Sequence, residues 1–404
     1  MKVDIHNFEK KLKRRIELIN SSDTILGANK QFLMKFYHSC VAEGLSLARI
    51  EKCFSHLYPV ACLLKKPFTE CTKEDLIKLV EVIERKDISE WTKHDYKVVL
   101  KKFFRWLRGT EEYPDEVKWI KAKSVRNNQL PEEILTEEEI KKIVSFATNP
   151  RDRAFVLVLY ESACRIGELL SLRIKNMQSD AYGCVLLVNG KTGSRRVRII
   201  SSAPALSTWL ESHPFKNDPM APLWIVIGTR NHHEMMSYAS ACALLRRLAK
   251  RAGIKKRVNP HSFRHARATH LANVLTEAQM KQYFGWVQGS DMASIYVHLS
   301  GRDVDNALLK LHGLAQNEKK EEDILKLRIC PKCQEKNDPV SKFCRRCGSA
   351  LDIKIAMELE NEILKKDEVV SEVVKRLVEK LNLEKEVCEV IKELKLEREF
   401  ERKG

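Results

Sequence analysis

Residues 153–173 read RAFVLVLYESACRIGELLSLR, and residues 183–200 read GCVLLVNGKTGSRRVRII. The first stretch is an apolar helix, and its run from Ala154 to Tyr160 is typical of the longest apolar runs in the chain. The second reads as two β-strands around an Asn189-Gly190 turn, the clearest hairpin in the sequence. Around this unit the text is helical. Fifteen Gly and 12 Pro in 404 residues are too few for a sandwich or barrel, which turns roughly every ten residues. The expected fold class is mostly α with a small β-sheet.

Working outward, residues 1–115 read as a helical domain. Leu76, Leu79, Val80 and Ile83 keep helical spacing behind Thr72 as N-cap. A second pattern, Tyr96, Val99, Leu100, Phe103, Phe104 and Leu107, follows Thr92 as its expected cap. That helix also carries Lys97, Lys101 and Arg105, so one face packs while another is free for phosphate or for solvent. Residues 116–134 are polar, contain Pro131 and read as a linker. A second domain, 135–313, opens at Thr136, with Glu139 as its reciprocal capping partner. A cysteine-rich segment occupies 326–351. An amphipathic tail, 353–404, places Leu359, Ile363, Val370, Val373, Leu377 and Leu381 at helical spacing, as a lone helix or a short coiled coil.

Charge is unevenly spread. The chain has net charge +17, yet residues 354–404 hold 12 basic and 14 acidic side chains, so the excess lies upstream. Residues 235–276 contain nine Lys and Arg and no acid; Arg246, Arg247, Lys250 and Arg251 share a helix face there. A stretch this basic suits a polyanion, nucleic acid first. No apolar run approaches the ~20 residues that cross a bilayer, and the first residues are charged where a leader would be apolar. The expected setting is cytoplasmic and nucleoid-associated, with no membrane partner. The eight scattered cysteines are expected to be reduced.

Four pieces in order, S-A-C-R-I-G-E-L-L-S-L, G-K-T-G, H-S-F-R-H-A-R-A-T-H-L, and F-G-W followed by S-I-Y-V-H, resemble the tyrosine recombinases, or phage-type integrases, and most of all their archaeal members. The resemblance covers roughly residues 20 to 313. It implies a helical core-binding domain and an α+β catalytic domain that clamp duplex DNA, with four protomers pairing two sites. Arg165 and Arg264 match the two arginines that hold the scissile phosphate, a role that suits guanidinium geometry and its permanent charge. Glu168 matches the acidic residue that braces the site. His261 matches the histidine that bonds the phosphate or relays a proton, and His265 is expected to make a structural hydrogen bond. Trp286 stands where most members carry histidine; an indole donates one N–H but exchanges no proton. Tyr296 matches the nucleophile, and Lys191 the general acid. Read alone, Arg165 would be an intrahelical partner of Glu168, Tyr296 a packed aromatic, and Tyr283 a rival tyrosine on the wrong side of Trp286. The spacing from Trp286 to Tyr296 is ten residues, about one more than the common bacterial pattern.

Cys330, Cys333, Cys344 and Cys347 form two C-x-x-C knuckles, the spacing of a short zinc ribbon with a structural Zn2+ held by four thiolates. No cofactor is expected for catalysis, since exchanging one phosphoester for another needs neither ATP nor metal. The function expected is a site-specific recombinase working through a 3′-phosphotyrosyl link. The alternatives are a type IB topoisomerase and a non-catalytic DNA-binding regulator.

Overall fold

The computed structural model describes residues 4–122, 133–299 apart from 230 and 273, residue 312, and 325–381. The first body is built from α1 (Phe8–Ser21), α2 (Gly27–Ala42), α3 (Leu47–Leu63), α4 (Lys73–Glu84), α5 (Glu90–Arg108) and the short α6 (Asp115–Lys118). Its core joins Leu33, Phe36, Phe54, Leu57, Leu79, Phe103 and Phe104, with edge-to-face aromatic pairs at its centre. Thr72 caps α4 in a full capping box with Asp75. The cap of α5 is Ser89, three residues before the expected Thr92, and the Ser89 hydroxyl accepts from Thr92 N. This body also runs past residue 115. Val117 and Ile120 are buried in its core, because α6 lays them against α4 and α5.

The second body contains α7 (Glu137–Ser145), α8 (Pro150–Ser162), α9 (Ile166–Leu170), strands β1 (Met177–Asp180), β2 (Gly183–Gly190) and β3 (Gly193–Ile199), then α10 (Ala203–Glu211), α11 (Tyr238–Arg251), α12 (Pro260–Ala272), α13 (Glu277–Phe284) and α14 (Met292–Leu299). Thr136 and Glu139 make the expected capping box on α7. Helix α8 starts with Pro150 behind the Asn149 cap and is buried on nearly every side. The sheet is antiparallel in the order β1-β2-β3, so the hairpin gains a third strand that the polar text of 177–180 conceals. The hairpin turn also differs from the expectation. Gly190 pairs with Gly193, which leaves Lys191-Thr192 as the two-residue loop. A type I′ Asn-Gly turn needs positive φ at both residues; Asn189 and Gly190 have none, while Gly193 takes φ 98°. Shared cores bind these parts, and they reach the chain's start: Ile5 is buried among second-body residues, and its carbonyl accepts from Tyr238 N at 3.0 Å.

Residues 328–337 add the small hairpin β4 (Arg328–Ile329) and β5 (Lys336–Asn337), which seats the cysteine knuckles. The cysteine segment packs on the second body. Leu325 is buried in its core, Val340 rests against it, and Lys336 Nζ donates to Ala181 O at 2.9 Å. Helix α15 (Ile353–Leu381) follows, with Val370, Val373 and Leu377 exposed; the rest of the expected tail lies outside the described residues. Among the described residues no helix is long and apolar enough to cross a membrane.

Candidate active site and metal centre

The site is organised by the end of α13. The last carbonyls of a helix lack intrahelical partners and carry its negative dipole end. Here three consecutive ones each accept from an arginine: Tyr283 O from Arg195 Nε at 3.1 Å, Phe284 O from Arg264 Nη2 at 2.7 Å, and Gly285 O from Arg165 Nη2 at 3.0 Å. Gly285, the residue after the helix, has φ 61°, a left-handed turn that glycine adopts without strain. Thr192 Oγ1, in the hairpin loop, donates to the same Gly285 carbonyl at 3.1 Å.

The arginines arrive from three different elements. Arg165 stands between α8 and α9, where Ala163 ends α8 at φ 48° and turns its carbonyl onto Arg264 Nη1 at 2.5 Å. Arg264 is carried by α12, 7 % exposed, over the Phe284 ring at 5.1 Å. Burial, with the neighbouring Arg165 charge, lowers its pKa to about 10, so it stays charged at neutral pH. Glu168 is buried and accepts from Arg165 Nη1 at 3.0 Å and Arg195 Nη2 at 2.7 Å. Burial alone would push its carboxyl up; the two arginines and the Arg165 N–H outweigh that and hold it below the ordinary value. The intrahelical Arg165–Glu168 pair is therefore real, and it is one part of a larger network.

His261 and His265 stand one turn apart on α12, with ring centroids 6.3 Å apart. Burial lowers both pKa values, and the Arg264 charge pushes the same way. Tyr296, on α14, is 4 % exposed, and its hydroxyl shares a short hydrogen bond with His265 Nδ1. With His265 neutral and protonated at Nε2, the phenol is the donor. Burial raises the Tyr296 pKa to about 12, against a smaller pull from Arg264. Trp286 lies between Phe284 and Tyr296 in near-parallel stacks, centroids 4.7 and 5.5 Å away. Tyr283, the rival tyrosine, turns elsewhere: its hydroxyl donates to Glu161 O at 2.5 Å, and burial pushes its pKa up. Lys191 is exposed at the hairpin tip, beside Thr192.

Arg165, Glu168, His261, Arg264, His265, Trp286 and Tyr296 are thus linked in one cluster, with the Lys191 loop tied to it through Thr192. Sequence reasoning missed Arg195. Its signal was faint, since it stands in a run with Arg196 and Arg198 on an alternating strand; only the inward side of β3 separates them. Sequence reasoning gave His265 a structural hydrogen bond without a partner, and the structure places that bond on the Tyr296 hydroxyl.

The basic candidates are distributed differently. Lys97 pairs with Glu84 at 2.5 Å, Lys101 donates to Ile120 O and lies over Tyr113, and Arg105 lies over the same ring. Those side chains are engaged within the first body. Arg246, Arg247, Lys250 and Arg251 are all exposed on α11, and Arg247 reaches Asp152 at 3.2 Å.

Cys330, Cys333, Cys344 and Cys347 bring their four sulfurs within 4.8 Å of one another, with Cys330–Cys347 and Cys333–Cys344 each at 3.5 Å. Tetrahedral zinc with bonds of about 2.3 Å places sulfurs about 3.8 Å apart, so the donor set fits that ion. The residues after the two knuckles, Gln334 and Gly348, take φ 58° and 71°, the tight turns that aim each sulfur pair.

Comparison with known proteins follows the same division. Residues 133–302 match the phage integrase family model, and residues 329–351 match a zinc-ribbon domain. Tyrosine recombinase XerA of Pyrococcus horikoshii is 31 % identical over 153 residues, covering 37 % of this chain and 52 % of its own. That of Pyrococcus furiosus is 28 % identical over 205 residues, covering 50 % and 67 %. The chain thus spans between half and two thirds of these relatives. The fold is similar to a lambda integrase dimer bound to a COC′ core site (TM-score 0.55, 17 % identity, 68 % of this chain and 78 % of that one). It is similar also to XerH recombinase bound to palindromic difH substrate in a post-cleavage complex (TM-score 0.52, 19 % identity, 77 % and 98 %). Residues 133–302 thus form a phage integrase family domain, and residues 329–351 a zinc-ribbon domain.

Proposed function

We propose that this protein is a site-specific DNA recombinase that cuts and rejoins duplex DNA through a 3′-phosphotyrosyl intermediate. The observation that carries the reading is the Tyr296 hydroxyl on His265, in the same cluster as Arg165 and Arg264. Arg165 and Arg264 offer fixed cationic donors to the non-bridging oxygens, where negative charge grows in the transition state. Tyr296 Oη attacks phosphorus and gives its proton to His265 Nδ1. The bond to the 5′-oxygen breaks, and Lys191 protonates that oxygen as it leaves. Trp286 holds the phenol ring by stacking. The chemistry balances without nucleotide hydrolysis, because one phosphodiester replaces another. Four protomers pairing two sites, with Arg246, Lys250 and Arg251 on the phosphate backbone, complete the proposal, as do roles for Lys97, Lys101, Arg105 and Arg247 once their internal contacts are exchanged for phosphate.

The test is covalent trapping. Nicked duplexes tiled across the DNA flanking the protein's own gene are incubated with wild type and Tyr296→Phe, then run on denaturing gels. An adduct in wild type alone supports the reading and locates the site. Binding without any adduct would move the protein to the class of DNA-binding regulators, and relaxation of supercoiled DNA without strand exchange to that of topoisomerases.

A further inference from the structure

Lys191 sits at the tip of a two-stranded ribbon, and something has to hold that tip in place. The inner face of β3 carries Val197 and Ile199 in the core; one step closer to the tip the inward residue is Arg195, at 11 % side-chain exposure. An apolar residue would fill that place if packing were all it required. Arg195 instead donates from Nη2 to Glu168 Oε2 at 2.7 Å and from Nε to Tyr283 O at 3.1 Å. Glu168 is the carboxylate that also holds Arg165, and Tyr283 O is the first of the three carbonyls that receive the arginines. A second rung, Thr192 Oγ1 to Gly285 O, ties the loop itself to the same helix end. The hairpin is therefore fixed at two heights to the frame that positions Arg165 and Arg264.

Arg195 has its Nε and Nη2 engaged in these two bonds. Its remaining nitrogen, Nη1, is sealed from solvent and has no partner among the described residues. It lies over the backbone of Gly285, where an added Cβ would stand 2.8 Å from it. With no donor open to a phosphate, its effect must pass through another group.

We propose that Arg195 is a positioning residue for Lys191: by locking the hairpin to Glu168 and the end of α13, it sets where the proton donor meets the departing 5′-oxygen. This rests on the reading of Lys191 as general acid. The full-length protein is compared as wild type, Lys191→Ala, Arg195→Ala and Arg195→Lys, on the trapped site carrying either oxygen or sulfur at the scissile 5′ position. A thiolate leaves without a proton, so sulfur bypasses the general acid. Lys191→Ala and Arg195→Ala are each expected to lose about a hundredfold in adduct rate on the oxygen substrate and to recover most of it on sulfur. Arg195→Lys is expected between them and wild type, because an ammonium reaches Glu168 but cannot bridge to Tyr283 O as well. Recovery of Lys191→Ala without recovery of Arg195→Ala overturns the inference alone. Failure of Lys191→Ala to recover overturns the general-acid reading and the inference with it. DNA affinity and thermal midpoint monitor folding. Should Arg195→Ala not fold, Arg195→Lys decides: slowed on oxygen and restored on sulfur supports the role, and wild-type rates on both refute it.

Discussion

Gly190 crosses Glu168 so closely that a Cβ at position 190 would overlap the carboxylate. The first glycine of G-K-T-G is therefore a matter of space rather than of turn geometry, since its φ is ordinary and the turn lies one residue further on. The contact brings the strand leading into Lys191 against the acid that holds Arg165 and Arg195. The placement of the arginines and the path of the Lys191 loop thus share one point of contact.

Gly190→Ala should displace either the hairpin or Glu168. A shift of about 1 Å at a reacting group costs up to about a hundredfold in rate. Adduct formation on a nicked site is expected to fall by about tenfold or more, with DNA affinity changed by less than about threefold. Gly228→Ala, where nothing lies near the added carbon, serves as the control and should match wild type. Equal rates for the two variants would remove the steric role of Gly190.

Low pH should weaken the fold through the two histidines of α12. Both have lowered pKa values in the folded protein, by burial and by Arg264, with Arg165 adding to His261 and His261 to His265. The unfolded chain binds their protons near about pH 6.5 and the folded chain only below it, so stability falls as pH drops through that window. Protonating His265 also removes the acceptor of the Tyr296 hydroxyl. The thermal midpoint should decline from pH 7 to 5.5 more steeply in wild type than in His265→Gln, and adduct formation should fall in the same range. Parallel midpoint curves for the two proteins would assign the pH response elsewhere.

Trp286 separates packing from hydrogen bonding. Its ring lies nearly parallel to Phe284 and Tyr296, at 12° and 4°. Trp286→Ala should cost about 2 kcal/mol in denaturant unfolding and slow adduct formation, because Tyr296 loses its stacking surface. Trp286→Phe keeps that surface and should retain most of the rate. A rate for Phe as low as for Ala would show instead that the indole N–H is required.

Chelation should release about one zinc per chain and loosen more than the ribbon. Val340 and Leu325 pack on the second body, and Lys336 bonds Ala181 O. Loss of about 2 kcal/mol there lowers a midpoint by several degrees in a body of this size. Calorimetry with and without chelator reads it; an unchanged second-body transition would mean that the ribbon folds independently.

Local signals in the sequence were reliable where the physics is local. The Thr72 and Thr136 caps stand as read because a capping box needs only four residues. The α5 start was misplaced because Ser89 and Thr92 are both competent caps, and only the packing of the helix chooses between them. The hairpin was legible as two strand-like runs around Asn189-Gly190. Its register was not, since pairing is decided by which strand face meets the core and by the room left beside Glu168.

By itself, the sequence determined the helical class, the family resemblance, the residue types suited to a phosphate, and the four cysteines, because these are written as spacing and composition. Tertiary structure alone decided which inward side chain of three arginines in β3 becomes part of the site, and that His265 rather than His261 takes the Tyr296 hydroxyl. It alone placed Ile5 in the second core and seated three arginines on successive carbonyls of one helix end. Those carbonyls belong to every residue alike, so no side-chain pattern announces them; they become ligands only where folding leaves a helix end unpaired beside buried charge.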